Sequence, residues 1–141
     1  MAEALLKSYL FKMDPDCNWV IESAGTWTEA GHPATPAGVS VMTEKGLDTS
    51  KHKSQPISKN LLERFELILT MESGHKEAIQ IEFPEIANRV FMLSEMAAIQ
   101  VPVLDPIGGP IEAYRSTAEE IDNWILKGLP KILEILNYPQ C

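Results

Sequence analysis

Residues Leu67-Ile68-Leu69-Thr70-Met71 form an apolar run interrupted only by one threonine. The run is short, and helical patterns flank it on both sides. It therefore reads as a strand buried on both faces. Such a strand belongs inside a sheet covered by helices, which points to an α/β fold with a short parallel sheet in a helix-sheet-helix sandwich.

The rest of the pattern agrees. Residues 2–12 read as a helix with Leu5, Leu6, Tyr9 and Leu10 on one face, and it starts without a capping residue. Asn18–Ser23 reads as a strand ending at Ala24-Gly25. Thr35 caps a second helix with Pro36 at its first position and Gly46 closing it. Ser58 caps a third. Residues 73–82 form a fourth, closed by Pro84, and Arg89–Leu93 reads as another strand. Val101–Leu104 leads into the stiff loop Asp105-Pro106-Ile107-Gly108-Gly109-Pro110. The pair Thr117 and Glu120 reads as a capping box that opens a last helix, with Pro130 as a kink. With no repeat or linker, 1–141 is expected to be a single domain.

The net charge of -8 argues against a nucleic-acid or anionic-membrane partner. No apolar run approaches the length of a membrane span, and the N-terminus lacks the pattern of a signal peptide. The expected setting is cytoplasmic. Two cysteines, Cys17 and the terminal Cys141, make no disulfide framework. Neither they nor the three histidines have metal-ligand spacing, so no cofactor is expected.

An open parallel sheet collects its site at the carboxyl ends of its strands. Those ends are Ser23-Ala24-Gly25-Thr26, Met71-Glu72-Ser73 and Ser94-Glu95, with the Asp105 loop beside them. Asp105, held by a stiff turn, suits a proton donor to a leaving group, or else an Asx-turn residue that only fixes its own loop. His52 sits in a polar loop. Trp27 reads either as the wall of a pocket for a flat ring or as a packing residue. Cys17 does not read as a nucleophile: position 23, six residues on, is Ser rather than a phosphate-clamping Arg, and Asp14 and Asp16 would raise its thiol pKa.

Met1-Ala2-Glu3-Ala4-Leu5, Ser23-Ala24-Gly25-Thr26, Gly46-Leu47-Asp48 followed by His52, Leu67–Met71, and Asp105-Pro106-Ile107-Gly108 occur together in one order. In that order and spacing the chain resembles a bacterial-type low-molecular-weight protein-tyrosine-phosphatase. The family opens with a strand and a cysteine loop of pattern Cys, five residues, Arg, Ser, Pro, followed at once by the helix carrying the Met1–Leu5 motif. The resemblance implies that this first strand and the nucleophile are absent, which accounts for the uncapped helix. It implies that Asp105 is the general acid, that Ser23 and His52 hydrogen-bond behind the cysteine loop, and that Trp27 and Ile107 stand at pocket-wall positions. At position 107 many members carry Tyr. The implied partners are phosphotyrosine proteins or small aryl phosphates, dephosphorylated through a phosphocysteine.

For the chain itself the expectation is a phosphatase when complete, with Met1 an internal methionine, and inactivity as it stands. The alternatives are a non-catalytic binding or regulatory module and a remnant without function. Arsenate reduction is less favoured, because no cysteine lies between Cys17 and Cys141 to act as a relay.

Overall fold

The computed structural model describes residues 1–26 and 28–140. Among the described residues are five α-helices: α1 (Ala2–Met13), α2 (Pro36–Glu44), α3 (Lys59–Glu63), α4 (Ser73–Glu82) and α5 (Ile111–Ile135). Two strands, β1 (Ile68–Thr70) and β2 (Val90–Met92), pair in parallel with Ile68 opposite Val90 and Thr70 opposite Met92. Single 3₁₀ segments, Pro84–Arg89 and Leu93–Ala97, flank β2. The chain is an α/β protein with a small parallel sheet. By its contacts it divides into two compact units, Met1–Pro56 with Asp105–Asp122, and Ile57–Leu104 with Asn123–Gln140.

In the first unit the helix ends follow their local chemistry. The Thr35 side chain accepts a hydrogen bond from the Gly38 N–H, and Pro36 opens α2 where a missing N–H costs nothing. At the other end Gly46 takes φ +76°, Leu47 N–H bonds the Met42 carbonyl and Gly46 N–H bonds that of Thr43. That pair of bonds is a Schellman closure, and the left-handed residue it requires is most easily a glycine. The start of α1 has no side-chain cap. Leu5 and Leu10 of α1, Val41 and Met42 of α2, and Tyr114, Ala118 and Ile121 of α5 are buried. Tyr9 donates to Asp122 at 2.9 Å, tying α1 to α5, and Arg115 grips both Glu44 oxygens, tying α5 to α2.

In the second unit α4 packs on β1 and β2. Leu62, Ile79, Ile86 and Val90 form a buried cluster against which Ile57, Ile68 and Phe83 pack. Ser58 caps α3 by accepting from the Leu61 N–H. Lys76 of α4 bonds both Glu95 oxygens at 2.9 and 3.0 Å, and Glu95 also accepts from the Met92 N–H and from Gln100.

Two expectations are corrected. Asn18–Ser23 is not a strand: no described segment supplies a ladder to it, and Val20 is 58% exposed, unlike a residue on a covered sheet. The last helix starts at Ile111, not near Thr117. Pro110 sits directly before it, and the Ala113 N–H already bonds the Pro110 carbonyl. Thr117 and Glu120 therefore lie inside α5, where residues three apart simply share a face. Pro130 lies inside the same helix, which continues to Ile135.

Candidate active site

The first unit holds a cavity of about 790 Å³. Its walls come from the first turns of α1, from Ser23, from 32–38, from the loop Leu47–Ser54, from Asp105–Ile107 and from Tyr114. Four residues singled out by the sequence, Ser23, His52, Asp105 and Ile107, are on this one surface.

Asp105 is held by its own turn. Its Oδ1 accepts from the Ile107 N–H at 2.9 Å, and the turn closes with Gly109 N–H on the Pro106 carbonyl, with Gly108 at φ +80°. The Asx-turn reading is thus correct as geometry, and it leaves the second carboxylate oxygen without a hydrogen bond among the described residues. The residue so anchored borders the cavity. Ile107 is 70% exposed.

Ser23 and His52 meet at a residue the sequence reading did not pick out. Glu3 Oε2 accepts from the Ser23 hydroxyl at 2.5 Å and lies 3.9 Å from His52 Nδ1, while Oε1 accepts from Lys7 at 2.6 Å. Burial pushes the Glu3 carboxyl up. The hydrogen bonds from Lys7 and Ser23 and the charges of Lys7 and His52 outweigh it and hold the group below its ordinary value. An acid in the first turn of an uncapped helix, four residues before a lysine, is the signal that could have found it. Gln55 is a second such residue. Its side-chain amide donates to the Ser23 carbonyl and its own carbonyl accepts from the Gly25 N–H, which seats Ser23–Gly25.

The loop over the cavity is pinned by Ser54. Its hydroxyl donates to the Glu29 carbonyl and accepts from the His32 N–H, while its backbone bonds Gly31 and His32.

Residues 1–135 match the family described as low molecular weight phosphotyrosine protein phosphatase. The chain belongs to that family. The protein-arginine-phosphatase of Bacillus subtilis (strain 168) is 35% identical over 135 residues, covering 95% of this chain and 87% of that protein. A probable low molecular weight protein-tyrosine-phosphatase of Ralstonia nicotianae, EpsP, is 34% identical, covering 94% and 86%. Among solved structures, the YwlE arginine phosphatase from Geobacillus stearothermophilus superposes with TM-score 0.85 at 30% identity, over 99% of this chain and 88% of that one.

In this family member Trp27 lies outside the described residues. Cys17 is buried and disulfide-bonded, so it offers no free thiol. The strand ends at Met71–Ser73 and Ser94–Glu95 belong to the second unit. The described residues contain no group of His, Cys, Asp and Glu that could hold a metal, and none of their helices is long and apolar enough to cross a membrane.

Proposed function

We propose that this cavity is the acid-bearing side of a phosphatase site for phosphotyrosine in proteins or small aryl phosphates, working through a phosphocysteine. The observation that carries the reading is the Asp105 turn, with one carboxylate oxygen tied to Ile107 N–H and the other unbonded at the cavity. Asp105 protonates the phenolate as the P–O bond breaks, then takes a proton from the water that attacks the phosphocysteine. Ser23 and His52, joined through Glu3, hold the shape of a cysteine loop seated at the uncapped start of α1, where first-turn N–H groups favour a phosphate. No cofactor enters the scheme.

No cysteine in the 141 residues has an arginine six positions on. These 141 residues therefore do not hydrolyse aryl phosphates alone: a general acid is worth roughly 10²–10⁴-fold, against accelerations up to about 10²¹-fold for the slowest phosphate monoesters. We read the chain as one domain acting in the cytoplasm. The test compares p-nitrophenyl phosphate turnover by the 141-residue chain with that of the same chain carrying a family strand and cysteine loop fused before Met1. Turnover only in the fusion, and dependent on Asp105, supports the reading. No turnover in a folded fusion favours a non-catalytic module.

Phosphoarginine is the second reading. The Bacillus relative is named a protein-arginine-phosphatase, and Ile107 offers no ring for a phenyl group to stack on. Comparing the fusion on phosphoarginine and phosphotyrosine peptides separates the two.

A further inference from the structure

Tyr114 stands in the cavity wall in the first turns of α5. Only 7% of it is exposed. Its ring lies against α2 at Gly38, where an added Cβ would be 3.8 Å from the ring. Its hydroxyl makes no hydrogen bond among the described residues and is not sealed from solvent. Buried tyrosines normally find a partner for that hydroxyl. A second hydroxyl of the same wall, Thr49 Oγ1, is buried and unpartnered as well. This wall carries hydrogen-bonding capacity that the protein does not itself use.

We propose that Tyr114 is a specificity-determining residue whose hydroxyl donates a hydrogen bond to the oxygen of a phenolic leaving group beside Asp105. The inference rests on the phosphatase reading of the cavity and adds a contact to it. Asp105 and Tyr114 border one cavity from the two ends of the segment 105–114, the acid on a turn and the phenol on the helix that follows. Asp105 supplies the proton. Tyr114 recognises the oxygen that receives it, while Ile107 and Pro106 of the same wall offer apolar surface to the leaving ring. A phenol is thereby selected over an apolar ring of equal size, because only the phenol satisfies the Tyr114 hydroxyl.

The test uses two probes, p-cresol and toluene, which differ by that one oxygen, titrated into the 141-residue chain by ligand-observed NMR. The parent chain should bind p-cresol more tightly than toluene. Tyr114→Phe keeps the ring against Gly38. It should weaken p-cresol by roughly 2- to 10-fold, the worth of one hydrogen bond, and leave toluene unchanged. Equal weakening of both probes would make Tyr114 a packing residue and overturn the proposal, as would an unchanged preference. If the variant does not fold, the parent chain with ¹³C-labelled tyrosine gives the answer. The Tyr114 Cζ resonance should move with p-cresol and not with toluene, and a stationary resonance overturns the assignment. If neither probe binds the parent chain, the proposal fails, while the role of Asp105 is decided separately by turnover of the fusion.

Discussion

The Ser23 hydroxyl and Glu3 Oε2 are 2.5 Å apart, a bond that joins the first turn of α1 to the segment that follows it. With Lys7 on the other oxygen and His52 within ionic reach, Glu3 organises one side of the cavity. Its side chain is only 20% exposed, so its partners are not easily replaced by water.

Glu3→Gln should lower stability at neutral pH by about 1–2 kcal/mol, since a charge-assisted bond is replaced by a neutral one. The folded carboxyl lies below its ordinary value. Its contribution is therefore complete above the unfolded pKa of about 4.3 and is lost as pH falls through the lower folded value. Denaturant melts of parent and variant should differ at pH 7 and converge in acid. A constant difference down to pH 2 would contradict the assignment.

Asp105→Asn in the fusion should cost roughly 10²-fold or more in turnover, most with poor leaving groups, because the amide cannot donate the acid's proton. Asparagine can still accept from the Ile107 N–H, so the melting temperature should stay within experimental scatter. A leaving-group series that shows no trend would remove Asp105 from the mechanism.

Gly128→Ala should destabilise despite alanine's better helix propensity. A Cβ there would lie 2.5 Å from the Met96 Cβ, and overpacking costs about 1–3 kcal/mol against a propensity gain of about 1 kcal/mol. A melting temperature above that of the parent would refute this.

Lys76→Met should cost about 1–3 kcal/mol by leaving Glu95 without its cation while the carboxylate still accepts from Met92 N–H. Glu95, 15% exposed, is pushed up by burial and drawn further down by Lys76 and Met92. The variant should therefore show a raised Glu95 pKa by carboxyl ¹³C NMR, and an unmoved pKa would show that Lys76 is not what holds it.

Local chemistry made much of the fold legible. Thr35 and Ser58 are caps because a hydroxyl there meets an open N–H, and Gly46 ends α2 because the chain must turn left-handed. The short strand at Ile68–Thr70 was legible from its apolar pattern, but only Thr70 of it is buried, with Ile68 and Leu69 half-buried rather than covered on both faces. What failed depended on distant partners. Val20 and Ile21 have strand-like side chains, but a strand exists only where another supplies a ladder. The start of α5 was set by Pro110, nearer in sequence than the Thr117–Glu120 pair that imitates a cap. In the site, Asp105 and His52 were visible through motif spacing. Glu3, Gln55 and Tyr114 were not, because their significance comes from what they meet across 20 or more residues or from a hydroxyl without a partner among the described residues.

The Asx turn at Asp105 has a consequence for how such a protein changes over generations. The turn asks only for a side-chain oxygen placed to meet the Ile107 N–H, and asparagine offers one as well as aspartate. The turn alone therefore lets a lineage exchange the acid for its amide. Under the proposed general-acid role, it is selection on phosphate release that holds an aspartate at this position.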